Sequence, residues 1–259
     1  MSNESFTFAV AVNSMEILRK NLYLSPGLQG DHKHQVLIKE NYPSASLAYN
    51  SAIDEAENEI IIFIHQDIYL PETWFSDISR CLFYLEEKQI NWGVLGCYGS
   101  RKAEVGVGKV CDTHFGIHGR QIDKPESIET LDEIVLVIRK SSGLRFDPSL
   151  PHFHLYGTDI CLSAKDNGMA NFAFQGLCVH NTNQLVNLPK EFYDCYRYIK
   201  KKWTKFLPIT TSCIKISRFD KEMNLRKIRF FAGVTLGEKL SPKHRVDDPR
   251  IFLAEEEQK

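Results

Sequence analysis

The sequence lacks the features that mark several classes of protein. Its 259 residues contain no apolar run long enough to span a bilayer, and residues 1–8 lack the basic segment and apolar stretch of a secretory signal. Lys and Arg total 32 against 33 for Asp and Glu, so the overall charge does not favour a nucleic-acid partner. We therefore expect a cytoplasmic protein without a nucleic-acid partner, whose binding depends on a local site.

Cysteine pairs of the CxxC type are also missing. The seven cysteines are odd in number and scattered through the chain, and several lie in apolar segments. This pattern favours buried, reduced thiols over a disulfide framework or a structural zinc site. With 43% hydrophobic residues, the chain can bury a substantial core, as one large α/β domain or one domain with an appendage.

Apolar strands and amphipathic helices alternate in the first part of the chain. The spacing predicts strands over 6–12, 34–39 and 59–64, with helices over 14–24 and 44–57 between them. This order indicates a mostly parallel central sheet flanked by helices. Ligands of such sheets bind beyond the carboxyl ends of the strands, where Asn13, Glu40 and residues 65–67 are expected.

The later part of the chain repeats these signals less regularly. Residues 99–124 have no clear period and predict a long excursion or hairpin. Helices are expected over 71–88 and 159–167, and strands over 92–98, 133–139 and 172–179. We divide the chain into a catalytic domain over 1–188 and a helical C-terminal extension over 189–259, whose acidic tail AEEEQK is expected to be disordered.

The tripeptide His65-Gln66-Asp67 follows the most apolar strand directly. Side chains alternate along an extended backbone, so residues 65 and 67 face the same side and one ion can touch both. A divalent cation held there would neutralise a diphosphate as its bond to a sugar breaks. The alternative interpretation is that Asp67 caps the following turn and His65 is an ordinary near-surface histidine.

Three stretches make the chain resemble a known family. They are AVAVNS at 9–14, SASLAYNSAIDEAENEIIIFIHQDIYLP at 44–71, and FDPSLPHFHLYGTDICLSAKDNG at 146–168 with VHN at 179–181. Together they resemble the family 2 type of glycosyltransferase, in its glycosyltransferase-like branch with the GT-A fold. The resemblance implies a nucleotide-binding α/β fold in which Asn50, on the helix that leads into the site, is one of the residues that bind the nucleotide. His-X-Asp stands where most such enzymes have Asp-X-Asp.

The resemblance also implies roles for the metal-site residues. Asp67 matches the direct metal ligand, and His180 resembles a late histidine that completes the metal or diphosphate site in some GT-A enzymes. His65 either ligates the metal or hydrogen-bonds the nucleotide. Because nitrogen donors suit transition ions, an imidazole ligand favours Mn²⁺ over Mg²⁺. Metal-independent turnover is the alternative, and an exposed strand end would equally explain His180.

Asp159, in YGTDICL, matches the family's general base at the start of a helix lining the acceptor cleft. An Asp in the first turn of a helix is also favoured by the helix dipole without any catalytic role. Asn13 and Ser14 match the contacts to the nucleotide base and ribose, and Glu40 ends the second strand. A simple turn explains Asn13 and Ser14 nearly as well.

These observations predict a hexosyltransferase-type glycosyltransferase of polysaccharide biosynthesis. It moves a sugar from a nucleoside-diphosphate sugar to a hydroxyl of a carbohydrate or lipid-linked acceptor, with inversion and with a divalent cation. The alternatives are a retaining transferase of the same fold and a non-catalytic nucleotide-sugar or carbohydrate-binding module. The basic, aromatic residues 196–206 suggest weak contact with the inner face of the membrane, although such a run is usually one solvated helix face.

Overall fold

The computed structural model describes residues 4–29, 34–183, 188–226 and 244–254. These residues form an α/β structure, which confirms the α/β part of the predicted fold class. The strands are β1 (Phe6–Val12), β2 (Gln35–Glu40), β3 (Ile60–His65), β4 (Ile68–Tyr69), β5 (Trp92–Gly96), β6 (Tyr98–Arg101), β7 (Glu104–Asp112), β8 (Gly116–Arg120), β9 (Glu126–Ile128), β10 (Thr130–Leu131), β11 (Val135–Arg139), β12 (Ala170–Ala173), β13 (Val179–His180), β14 (Ile209–Thr210) and β15 (Lys215–Ile216).

Helices connect and cover these strands. They are α1 (Met15–Lys20), α2 (Ala45–Glu55), α3 (Glu72–Glu87), α4 (Tyr156–Asp166), α5 (Lys190–Lys202) and α6 (Ile251–Ala254). Serine side chains cap the first two: Ser14 Oγ accepts from the Ile17 amide of α1, and Ser44 Oγ accepts from the Leu47 amide of α2. Every helix among the described residues is too short or too polar to span a bilayer.

The largest sheet has seven strands in the order β2-β1-β3-β11-β5-β12-β9. Strand β1 pairs in parallel with β2 and β3, as the alternating pattern predicts. The sheet is nevertheless mixed, because β11 lies antiparallel between β3 and β5, and β9 is antiparallel to β12. After β5 the chain leaves the sheet to form other strands and then returns as β11, which runs in the opposite direction to β3 and β5. Local periodicity does not reveal this change of direction.

A second sheet accounts for the irregular middle of the chain. Its order is β10-β6-β7-β13-β4, with β8 also paired to β7. Residues 99–124 thus contain antiparallel hairpins, in agreement with the hairpin expectation. The single strand expected over 172–179 is wrong: β12 belongs to the first sheet and β13 to the second. Gly176 interrupts the apolar run between them, and glycine weakens a strand interior.

Both faces of the first sheet are buried, and alternate residues of β3 divide between them. Ile61 and Phe63 pack on one face with α2, α4 and α5, whereas Ile62 and Ile64 pack on the other with α3. Helix α5 contributes to the same apolar cluster as α2, so the segment after residue 188 shares the core of the preceding part of the chain. The domain boundary at 188 stays a prediction, and residues 255–259 of the acidic tail lie outside the described residues.

Candidate functional site

Strand register brings His65, Asp67 and His180 together where the two sheets meet. His65 is the last residue of β3, and Asp67 lies in the turn that leads into β4. Strand β13 pairs with β4 so that His180 is opposite Ile68, and the Asn181 amide donates to the Asp67 carbonyl at 2.9 Å. Two segments more than a hundred residues apart in the chain are thereby fixed side by side.

These three side chains form a cluster that fits a divalent cation. One nitrogen of each histidine and one carboxylate oxygen of Asp67 lie within 4.8 Å of one another. Asp67 is 6% exposed, and the shortest His180–Asp67 contact is 3.6 Å, from Nε2 to Oδ1. Two imidazoles and a carboxylate are a donor set suited to Mn²⁺, Fe²⁺ or Zn²⁺ more than to Mg²⁺.

The charges in the cluster are strongly coupled. Burial alone would raise the pKa of Asp67, but His180, His65 and Arg245 together lower it well below its usual range. Burial opposes protonation of His180, yet the carboxylates of Asp67 and Asp112 outweigh it and raise the pKa of His180. Burial lowers the pKa of His65 despite the nearby Asp67 carboxylate, so this imidazole is neutral at pH 7. A cation bound here would compete with a proton for His180.

Each histidine of the cluster also lies near an oxygen of another residue. The Tyr156 hydroxyl is 2.8 Å from His65 Nε2, and the Asp112 carboxylate is 3.7 Å from His180 Nδ1. Sequence reasoning missed both oxygens as parts of the site. Asp112 ends strand β7, so a strand assigned over 104–112 would have placed it at the sheet edge. Oxygen partners of this kind orient metal-binding histidines in known sites.

Arg245 also reaches this cluster and was not anticipated. Its guanidinium Nη2 donates to Asp67 Oδ2 at 2.7 Å, while its buried Nε has no hydrogen-bond partner among the described residues. Asn181 holds the segment in place, since its side chain bonds both the amide and the carbonyl of Val246 at 2.9 Å. No sequence pattern near residue 245 predicts its contact with Asp67, because tertiary packing alone brings this segment to the site.

A cavity of about 590 Å³ opens beside the cluster. Asn13, His65 and Asp67 line it, and its cationic groups are Lys39 and Arg245. His154 and Tyr156 also form part of its wall. A larger cavity, of about 720 Å³, lies along α3 at Arg80 and Phe83, away from the histidine cluster. The smaller cavity therefore combines the volume of a small-molecule site with converging polar groups.

Gln66 fixes the end of β1 next to this cavity. Its Oε1 accepts from the amides of Asn13 and Ser14, at 3.1 Å each, and its Nε2 donates to Asn13 Oδ1 at 2.5 Å. Asn13 lines the cavity, as expected for a nucleotide contact, whereas Ser14 caps α1 and is not part of the lining. Gln66 was not predicted, because strand alternation makes it a spacer between residues 65 and 67.

Two other expected nucleotide contacts lie elsewhere among the described residues. Asn50 forms a two-way hydrogen bond with the backbone of Phe146, at 2.8 and 3.0 Å, and so joins α2 to the segment before α4. Glu40 is exposed at the end of β2 and does not line the cavity. Their nucleotide-binding roles stay predictions, and the contacts of Asn50 are structural.

Asp159 lies in the core and not in an open cleft. It is 2% exposed in the first turn of α4, and Lys202 Nζ contacts its two oxygens at 2.8 and 2.9 Å. Trp203 Nε1 donates to the same carboxylate at 2.7 Å. Burial raises the pKa of Asp159, although Lys202 and Trp203 counteract part of this effect. Asp159 does not line the 590 Å³ cavity, and its role as general base stays a prediction.

The basic residues of 196–206 are largely neutralised within the protein. Lys200 pairs with Asp220 at 2.7 Å, Lys202 with Asp147 and Asp159, and Lys205 with Asp166. Four aromatic side chains of this segment, Tyr196, Tyr198, Trp203 and Phe206, belong to an apolar core cluster or pack against it. The membrane contact stays a prediction. These ion pairs leave residues 196–206 with little unpaired positive charge for a membrane surface.

Comparison with known proteins gives distant likenesses. No family model matches the chain. The protein named ATP synthase subunits region ORF 6, from Fuscovulum blasticum, is 24% identical over 166 residues, which cover 62% of this chain and 66% of that protein. The match thus spans just under two thirds of the length of that relative.

Similar solved structures are A197 from STIV and two forms of S. aureus TarS. A197 is 8% identical with a TM-score of 0.41, over 66% of this chain and 82% of that one. TarS 1–349 is 14% identical with a TM-score of 0.42, over 77% and 65%. The longer TarS structure is 13% identical with a TM-score of 0.45, over 77% and 39%. Likenesses at this level carry no functional argument, which must come from the site.

Proposed function

We propose that this protein is a glycosyltransferase of GT-A type that uses a nucleoside-diphosphate sugar and a divalent cation. The observation that carries the proposal is the convergence of His65, Asp67 and His180 beside a cavity of about 590 Å³, which His65 and Asp67 line. The family 2 resemblance of residues 44–71 and 146–168 supports the same assignment. The proposal places the donor diphosphate at this cluster and the nucleoside toward Asn13.

The donor set favours Mn²⁺ over Mg²⁺ in this proposal, because two of the three ligands are imidazoles. The bound cation would supply charge neutralisation for the departing diphosphate. Arg245 can neutralise the same charge from the protein side. Its buried Nε lacks an acceptor, and a phosphate oxygen is the acceptor that an arginine fork suits. Lys39 adds a second positive charge to the cavity wall.

The group that deprotonates the acceptor has two candidates. Asp159 has the position implied by the resemblance, but Lys202 and Trp203 occupy its oxygens. His154 lines the cavity, and burial lowers its pKa, so its imidazole is neutral at pH 7 and able to accept a proton. If neither residue is the base, the engagement of Asp159 favours the retaining alternative, in which Asp159 only orients other groups.

The test is a binding and turnover experiment with matched variants. Calorimetry should show tighter UDP or GDP binding with Mn²⁺ than with excess chelator, and a panel of UDP-, GDP-, dTDP- and CMP-sugars should reveal a hydrolysed or transferred donor. Arg245→Ala should weaken nucleotide binding about tenfold or more, given the roughly 1.5–3 kcal/mol that a hydrogen bond to a charged group contributes. Arg250→Ala, which removes an exposed pair with Asp248, is the control.

Three outcomes would change the proposal. Equal nucleotide affinity with and without Mn²⁺ would remove the cation from it. Tight nucleotide-sugar binding without turnover across acceptors would favour a non-catalytic binding module. Proton NMR of the anomeric centre of a product distinguishes inversion from retention, and loss of turnover in His154→Gln but not in Asp159→Asn would assign the base to His154.

A further inference from the structure

A buried chain of hydrogen bonds runs from His65 into the core. His65 Nε2 lies 2.8 Å from the Tyr156 hydroxyl, and that hydroxyl lies 3.1 Å from the backbone carbonyl of Glu133. Tyr156 is 2% exposed, although it forms part of the wall of the 590 Å³ cavity. The chain is thus closed at the Glu133 carbonyl, which is an acceptor only.

The protons along this chain can be assigned from donor and acceptor capacity. A tyrosine hydroxyl has one proton, and a carbonyl oxygen has none, so Tyr156 must donate to Glu133. The hydroxyl proton is then not available to His65, and the contact at 2.8 Å requires His65 Nε2 to be the donor. A neutral imidazole protonated at Nε2 carries its lone pair on Nδ1.

We propose that Tyr156 is a positioning residue that holds His65 in the Nε2–H form and leaves Nδ1 free to bind a divalent cation together with Asp67 and His180. The inference rests on the cation site of the proposed function and goes further, since it names the ligand atom of His65 and the group that selects it. Of the two roles that the sequence left open for His65, the proposal adopts the metal ligand.

The surroundings of Tyr156 keep this arrangement fixed. Its ring packs against Tyr49 and Phe146, with ring centres 5.5 and 6.0 Å away. The Glu133 carbonyl is also held in place. The next residue, Ile134, accepts a hydrogen bond through its own carbonyl from the His65 amide at 3.2 Å. The Tyr156 side chain also forms a hydrogen bond with the side chain of Tyr49.

The test combines nitrogen NMR with metal affinity in the full chain. In chelator, ¹⁵N-detected imidazole spectra of the wild type should show His65 as the Nε2–H tautomer, with the resonance assigned by its loss in His65→Asn. Adding Zn²⁺, a diamagnetic stand-in, should shift the Nδ1 resonance of His65. Tyr156→Phe leaves a buried Nε2–H without an acceptor, so an Nδ1–H population should appear and Mn²⁺ affinity should fall about tenfold to a hundredfold.

Tyr198→Phe is the matched control. It also removes one tyrosine hydroxyl bond, to Asp147 at 2.7 Å, but it does so away from the cluster, so His65 and Mn²⁺ affinity should be unchanged. An Nδ1–H tautomer in the wild type, or unchanged Mn²⁺ affinity in a folded Tyr156→Phe, would overturn the proposal. The wild-type spectrum decides the tautomer even if Tyr156→Phe does not fold.

The same data separate this proposal from the proposed function. A wild type that binds neither Zn²⁺ nor Mn²⁺ would overturn the cation site itself and with it the ligand role of Nδ1. Cation binding with the Nδ1 resonance shifted, but without any sugar transfer, would support the positioning role of Tyr156 while removing glycosyl transfer.

Discussion

Two buried carboxylates of this protein have opposite surroundings. Asp67 is 6% exposed, lines the 590 Å³ cavity and faces two histidines, and its pKa is lowered because its interactions with His180, His65 and Arg245 outweigh the effect of burial. Asp159 is 2% exposed, is held by Lys202 and Trp203 and does not line that cavity, and its pKa is raised by burial.

Under the proposed function, this difference distinguishes a metal-binding carboxylate from one whose contacts lie within the fold. The resemblance assigns chemistry to both residues, but Asp67 keeps Oδ1 beside His180 Nε2 in a cluster that fits an ion, whereas both oxygens of Asp159 are used within the fold. Both are buried carboxylates, so burial and charge alone would make Asp67 and Asp159 equally good candidates for a functional residue. What distinguishes them is whether their partners leave room for a ligand.

The largest expected effect is the loss of cation binding in Asp67→Asn. Removing a carboxylate ligand should weaken Mn²⁺ binding more than about a hundredfold, since even outer partners of a metal site contribute ten- to a hundredfold. Asp159→Asn should bind Mn²⁺ like the wild type. Titration calorimetry with Mn²⁺ measures both, and equal losses in the two variants would erase the proposed contrast.

The second effect concerns stability. Asp159→Ala removes the acceptor of Lys202 and Trp203, and hydrogen bonds of this charged kind contribute about 3 kcal/mol or less to the free energy of unfolding. Lys202 keeps Asp147 as a partner, at 2.7 Å, which limits the cost. Urea unfolding measures the change. Asp166→Ala, which breaks an exposed pair with Lys205, should cost less than about 1 kcal/mol.

The smallest effect is a pair of opposite pH dependences in chelator. The pKa of Asp67 is lowered in the folded state, so its contribution to stability is present above the ordinary Asp pKa of about 4 and is lost as the pH falls. The pKa of Asp159 is raised, so ionisation costs stability as the pH rises above about 4.

Urea unfolding between about pH 3 and pH 6 tests this contrast. The advantage of the wild type over Asp67→Asn should shrink on acidification, and its advantage over Asp159→Asn should grow. If the stability difference between wild type and variant changed with pH in the same direction for both variants, the two carboxylates would have the same kind of environment.

Several parts of the fold followed from the sequence alone. The apolar runs at 6–12 and 59–64 became β1 and β3, and the serine-capped helix at 44–57 became α2, because each is specified by local periodicity and capping. Alternation along β3 and the turn after it also placed His65 and Asp67 in one candidate cluster, since successive side chains of a strand point to opposite faces.

Only the tertiary structure decided how this cluster is completed. His180 and Asp112 meet because β13 pairs with β7, and Arg245 arrives because Asn181 holds Val246. Likewise, the sequence placed Asp159 correctly at the start of a helix, but its neighbour Lys202 comes from α5, 43 residues later. Local pattern determines which residues end a strand or begin a helix. The partners of a buried charge come from distant segments. Those partners decide whether the charged group can contact a ligand or makes all its contacts within the protein.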